Sequence, residues 1–198
     1  MCGRMTLTRA DWDEVLLELT ETLVPAGVTG IRADEGAAPF YRPRYNVAPT
    51  QHHPILRTGA GPARLGFALW GLLARGQGKT PVINARAVTV PFKSAFQDAF
   101  VSRRCVVPAD GFFEWKTGPE GRQPLWFHRP DGKLLLLAGL FDEEPVTADH
   151  PARMRFALAQ MVQERLPAAP AAALPDDQQL TDVDAEPGLI LVEGTDRR

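Results

Sequence analysis

Apolar residues recur at helical spacing near the start of the chain, at Trp12, Val15, Leu16, Leu19 and Leu23. This pattern predicts an amphipathic helix over residues 8–23, with one apolar stripe packed on a core. Thr8 with Asp11 reads as a capping box, and Pro25 and Gly27 end the helix. Residues 26–50 are rich in Gly, Ala and Pro and read as a long loop. Short strand-like runs follow at 55–57, 64–72 and 81–87. Pro91 suits the first position of a second helix reaching Val101, with Phe92, Ala95, Phe96 and Ala99 on one face. Cys105-Val106-Val107-Pro108 reads as a buried strand that breaks at its proline. The runs 126–128 and 133–141 flank Pro130-Asp131-Gly132 and predict a hairpin. Runs at 155–161 and 189–192 complete the set. Many short strands with few helices predict an α+β fold, a single mainly-β domain with strongly bent antiparallel sheets and a few peripheral helices. The domain is expected over residues 1–167. An Ala/Pro-rich connector and an acidic segment, 168–198, then pack on it or trail from it.

Composition narrows the class. At 198 residues with 44% hydrophobic content, the chain is long enough for one well-formed core. Two cysteines, Cys2 and Cys105, make no disulfide framework and suit a reducing cytoplasm. The beginning of the chain lacks a signal-peptide pattern, and the longest apolar run, 134–141, is too short to span a bilayer. A cytoplasmic protein with no membrane partner is expected. None of His52, His53, His128 and His150 has zinc-type spacing with cysteine or another histidine, so no metal is expected. Gly78-Lys79-Thr80 is not a phosphate loop, because Leu73 stands where the motif needs glycine.

The net charge of −2 conceals an asymmetry. Residues 1–140 hold 17 basic and 12 acidic side chains, whereas residues 141–198 hold 5 and 12. Between Glu35 and Asp98 there is no acidic residue, yet Arg42, Arg44, Arg57, Arg64, Arg75, Lys79, Arg86 and Lys93 lie there. Such a stripe suits a polyanion.

The chain begins Met1-Cys2-Gly3-Arg4. If Met1 is removed, Cys2 carries an amine and a thiol on adjacent carbons. About one α-amino group in six is neutral at pH 7, against about one lysine in 2,500. An aldehyde would condense with the amine, and the thiol would close a thiazolidine ring in a favoured intramolecular step. Two further segments carry suitable chemistry. Asn84-Ala85-Arg86 ends an apolar run. Asp110-Gly111-Phe112-Phe113-Glu114-Trp115 sets a carboxylate between aromatics, where partial desolvation suits a general acid.

These segments, in this order, resemble the SRAP (SOS-response-associated peptidase) family of abasic-site DNA–protein cross-linking proteins. The resemblance rests on Met1-Cys2-Gly3-Arg4, Tyr45-Asn46-Val47-Ala48-Pro49-Thr50-Gln51, Trp70-Gly71-Leu72 and Asn84-Ala85-Arg86-Ala87. It continues through residues 104–115 and Ala138-Gly139-Leu140. It implies an autopeptidase that removes Met1, after which Cys2 captures the ring-opened sugar aldehyde of an abasic site in single-stranded DNA, with no cofactor. Carried over position by position, Asn84 orients the amine or sugar and Glu114 shuttles protons. Arg4 and Arg86 grip phosphates, Trp70 stands near exposed bases, and Asn46, Pro49 and Arg165 join the DNA-binding set. The expected partner is single-stranded DNA or DNA with an abasic site, bound by a monomer.

The resemblance weakens towards the C-terminus. A family histidine in His-x-Arg-Met-Pro is matched by Gln163-Glu164-Arg165-Leu166-Pro167, with His150-Pro151-Ala152-Arg153-Met154 as the alternative alignment. Glutamine forms hydrogen bonds but does not exchange protons near neutral pH. Val88 replaces the acidic residue usual after Asn-Ala-Arg-Ala. A noncatalytic or partly disabled single-stranded DNA-binding paralogue is therefore the second expectation. An N-terminal-nucleophile amidohydrolase is the remote third, since glutamine amidotransferases also begin Met-Cys-Gly.

Overall fold

The computed structural model describes residues 3–59, 61–73, 80–119, 121–144, 153–160 and 190–193. Strand β1 (Arg4–Leu7) leads into helix α1 (Trp12–Leu23). Then come β2 (Ile31–Ala33), a 3-10 turn (Ala38–Phe40), β3 (Arg44–Val47), β4 (His52–Gly59), β5 (Gly61–Trp70) and β6 (Asn84–Arg86). A second 3-10 turn (Val90–Phe92) leads into α2 (Ser94–Ser102). Strands β7 (Arg104–Ala109), β8 (Gly111–Gly118), β9 (Gly121–His128), β10 (Leu135–Glu144), β11 (Arg153–Gln160) and β12 (Ile190–Glu193) follow. The fold is α+β and mostly β, with bent sheets and two α-helices among the described residues.

One sheet runs β12-β9-β8-β1-β3. The other runs β2-β5-β4-β7-β10-β11-β6, and an added β5–β11 pairing closes its middle strands into a barrel. Pairing is mainly antiparallel, but β2–β5, β5–β11 and β6–β11 are parallel. Closure pairs stretches of β5 and β11 that the short strands β2 and β6 leave uncovered. The main core cluster includes Met5, Val47, Ile55, Trp70, Val107, Phe156 and Leu158, with Ile83, Phe112 and Met154 packed against it. A second cluster sets α1 against the barrel through Trp12, Val15 and Leu19, joined by Leu7, Tyr41 and Leu65.

Several local expectations change, each for a physical reason. The helix starts at Trp12 because Asp11 caps it: the Glu14 N–H donates to Asp11 Oδ1 at 2.9 Å, and Glu14 accepts the Ala10 N–H at 2.7 Å. This is a reciprocal cap one turn later than Thr8. Thr8 is unavailable, since its N–H and hydroxyl both donate to Asp110 at 2.5 Å. The stretch 26–50 is not all loop and contributes β2 and β3. Strand β7 runs through Pro108 to Ala109; the Pro108 carbonyl accepts a hydrogen bond from His53 Nε2 at 2.7 Å. Pro130-Asp131-Gly132 forms a turn closed by Gly132 N–H to Arg129 C=O at 3.1 Å, but it joins two sheets instead of two paired strands. Hairpins of consecutive paired strands form instead at β4–β5 and β8–β9. Phe92 is not on the packed face of α2: it lies in the preceding 3-10 turn and is 83% exposed.

Two buried titratable groups are structural. Burial pushes the Cys105 thiol up to about 12, which keeps it protonated and inert. Burial lowers His53 to about 4 despite its bond to Pro108. His53 is therefore neutral in the folded chain, whereas the unfolded chain binds its proton near pH 6.5. Folded stability is full above that value and falls as pH drops towards 4. Denaturant unfolding between pH 7 and 4.5 is expected to show this loss. His53→Gln should flatten the pH slope even if its absolute stability is lower. An unchanged slope would exclude His53 as its source.

Candidate nucleic-acid interface and reaction site

The chemistry-bearing side chains sit next to residues anchored in the main cluster. Arg4 precedes Met5, Asn46 precedes Val47, and Asn84 follows Ile83. Glu114 lies two residues beyond Phe112 and so on the same face of β8. The core thus gathers segments that are far apart in sequence.

Strand β1 sets the entry of the N-terminal segment. It runs antiparallel to β8 with Arg4 opposite Phe113, Met5 opposite Phe112 and Thr6 opposite Gly111. The pairing ends at Arg4, so Gly3 and Glu114 are the next residues of the two segments beyond it. Glu114 is half-buried between half-buried Phe113 and Trp115, which is 37% exposed. On the other side β1 pairs with β3, and Arg4 Nη1 donates to Asn46 Oδ1 at 2.7 Å.

The register is held by a cluster that sequence reasoning did not single out. The buried Asp110 carboxylate accepts the Thr6 hydroxyl as well as both donors of Thr8. The Asp110 N–H donates to Thr6 C=O at 3.0 Å, and Trp126 Nε1 donates to Thr6 Oγ1 at 3.3 Å. Gly111 is required beside it, because a Cβ there would meet Trp126 Nε1 at 2.0 Å. The available signal was Thr6-x-Thr8, two hydroxyls on one strand face, together with Asp110-Gly111 in a recognised segment.

Pro49 lies in a tight turn. The Gln51 N–H donates to Ala48 C=O at 3.2 Å, and the Ala48 N–H donates to Gln51 Oε1 at 3.0 Å. Thr50 has φ of 68°, a costly conformation for a β-branched residue. It persists because neighbours pin it: Thr50 N–H donates to Trp70 C=O at 2.8 Å, and Trp70 N–H to Gln51 C=O at 2.9 Å. Trp70 is accordingly a correction. It is 0% exposed, its indole stacks on Phe156 at 6.1 Å, and its Nε1 donates to Ile83 C=O at 2.9 Å. It offers no face to a base. Instead it ties the Pro49 turn to the strand that begins at Asn84.

Half-buried Asn84 starts β6 opposite Leu158, and exposed Arg86 stands opposite Gln160. Cys2, His150, Gln163 and Arg165 lie outside the described residues. The basic stripe is thinner in space than in sequence. Arg57 and Arg64 both pair with Asp34, the latter at 2.8 Å, while Arg75 and Lys79 lie outside the described residues. Among the described residues, no three His, Cys, Asp or Glu side chains converge on a metal position. The described candidate residues include a carboxylate able to exchange a proton, carboxamides able to donate and accept hydrogen bonds, and guanidinium groups able to bind an anion.

The family model for the SOS response associated peptidase (SRAP) matches residues 1–160. The chain belongs to the SRAP family. It is 32% identical over 149 residues to the abasic site processing protein YoqW of Bacillus subtilis, covering 72% of this chain and 61% of that one. It is 31% identical over 142 residues to the abasic site processing protein YedK of Escherichia coli, covering 71% and 59%. With the abasic site processing protein HMCES of Xenopus tropicalis, identity is 29% over 177 residues, covering 72% and 52%. This SRAP chain thus spans about half to three fifths of those relatives' lengths. The same fold occurs in a crystal structure from Bacteroides thetaiotaomicron, with TM-score 0.63, 19% identity and coverage of 79% of this chain and 66% of the other. It also occurs in one from Bordetella bronchiseptica, with TM-score 0.59, 16% identity and coverage of 97% and 83%. No helix among the described residues of this SRAP protein is long and apolar enough to cross a membrane.

Proposed function

We propose that this protein acts on abasic sites in DNA and becomes covalently joined to them through Cys2 after removal of Met1. The observation that supports this reading is the register of β1 on β8, which pairs Arg4 with Phe113, the neighbour of Glu114. The Cys2 amine adds to the sugar aldehyde, and the carbinolamine loses water as Glu114 supplies a proton to the departing hydroxyl. The thiolate then bonds to the imine carbon, and the nitrogen takes a proton. The product is a thiazolidine, and the net loss is one water. Asn84 orients the amine or sugar, and Arg4 and Arg86 bind flanking phosphates. Asn46 and Pro49 shape the strand's path. Single-stranded DNA suits this site, because a lesion there need not be extracted from a duplex.

A second reading, noncovalent single-stranded DNA binding, is favoured by one observation. Arg153 and Met154 already lie within β11, with Met154 packed on the core. That favours Gln163 over His150 at the family histidine position, and glutamine transfers no proton there. Incubation with a single-stranded oligonucleotide bearing one abasic site separates the readings. A heat-stable adduct, absent in Cys2→Ala, is expected. Salt-sensitive binding that survives Cys2→Ala, with no covalent product, would establish the second reading.

A further inference from the structure

We propose that a groove beside β3 is a nucleotide subsite that holds a base and phosphate of the same DNA strand, outside the lesion. The proposal rests on the reading of this protein as a DNA-binding one. The groove encloses about 580 Å³, and Phe40, Tyr41, Arg42, Arg44, His52 and Phe67 contribute to its wall. This volume is within the range of small-molecule sites.

Its charge is unbalanced. Arg42 Nη1 donates to the carbonyls of Pro39 at 2.8 Å and Tyr41 at 2.5 Å, and Arg44 Nη2 donates to the Gln51 amide oxygen. All three acceptors are neutral, so none of these bonds is an ion pair. Among the described residues, no carboxylate lines the groove. With burial as the larger cause, Arg153 and Arg155 lower the proton affinity of His52, although Arg155 is paired with Glu144 at 2.6 Å and Asp110 acts in the opposite sense on His53. An anion fits this field.

Its aromatic groups fit a base. Phe40 is 77% exposed at the groove. Tyr41 is 5% exposed and its hydroxyl donates to Arg9 C=O at 2.8 Å, so it backs the wall while Phe40 supplies the open face. Phe67 has one face stacked on Trp12 at 5.4 Å. Aromatic platforms beside cations are what single strands use, because every base has a π-face.

The groove shares strand β3 with the candidate site. Arg44 is two residues from Asn46 on β3, about 7 Å along a strand. This is about two nucleotide rises. Its guanidinium grips Gln51, whose side chain also closes the turn containing Pro49.

The test uses the full chain, undamaged oligodeoxynucleotides of about three and about ten residues, and fluorescence anisotropy. Phe40→Ala and Arg42→Ala are each expected to weaken binding of the long oligonucleotide roughly tenfold while leaving the short one unchanged. Arg42→Ala should also reduce the salt slope by about 0.7. Adduct formation on a short abasic oligonucleotide should remain at the wild-type rate in both variants. Equal long-strand affinity in wild type and both variants overturns the subsite. So does a selective loss of affinity for a polyglutamate peptide, which would identify an acidic protein partner instead. If wild type forms no adduct yet the length effect persists, the cross-linking reading fails and the subsite stands. If wild type binds no single strand, both fail.

Discussion

Glu114→Gln is expected to slow adduct formation about 10²–10⁴-fold while leaving DNA affinity near that of wild type. Glutamine preserves the shape and hydrogen-bonding reach of the side chain but cannot deliver a proton to the departing hydroxyl. The position supports this role: Glu114 is half-buried between Phe113 and Trp115, on the strand that receives β1. Cys2 keeps both nucleophilic atoms in the variant, so the expected product is the same thiazolidine, formed slowly. Quenched time courses on abasic oligonucleotide report the rate, and anisotropy on undamaged oligonucleotide reports affinity. A wild-type rate would remove Glu114 from proton transfer. A parallel fall in affinity would instead mark it as a residue that shapes the binding surface.

Asp110→Ala is expected to destabilise the fold by about 3 kcal/mol or more. The buried carboxylate accepts from the Thr6 hydroxyl, the Thr8 N–H and the Thr8 hydroxyl. Removing it leaves up to three donors without an acceptor, each costing about 1–3 kcal/mol where water is excluded. At about 2–4 °C per kcal/mol, the melting temperature should fall by about 6–12 °C. Because these bonds fix β1, whose register sets the approach to Glu114, adduct formation should fall as well. Asp110→Asn retains one acceptor oxygen and should be intermediate in both measurements. A melting temperature within a degree or two of wild type for Asp110→Ala would show that the Thr6–Thr8–Asp110 cluster contributes little to folding.

Legibility followed the range of the interaction. Helix α1 was readable because its stripe of Trp12, Val15 and Leu19 is local and periodic. Most strands were readable from short β-branched and aromatic runs. Strand partners were not, because pairing is decided by distant residues and by sheet closure. Pro130-Asp131-Gly132 is a sound turn signal, yet a turn does not specify which strands it joins. Trp70 illustrates the same limit within the candidate site. Its position in a recognised segment pointed to the DNA, but its indole N–H meets a carbonyl that sequence could not place beside it. The acid-free stretch between Glu35 and Asp98 likewise gave no sign that Asp34 would reach two of its arginines. Arg4, Asn46, Asn84 and Glu114 were singled out because they stand in recognised family segments, and the fold sets each on a strand beside the main cluster. The Asp110 cluster went unnoticed because two threonines and an aspartate have no meaning until the register aligns them.

The most direct measurement is an intact-mass spectrum of the protein before and after exposure to single-stranded DNA carrying one abasic site. The account predicts a starting mass lacking Met1 and a product equal to protein plus oligonucleotide less one water, with no such product from Cys2→Ala. A starting mass that retains Met1, or an unchanged protein mass after exposure at neutral pH, would contradict it.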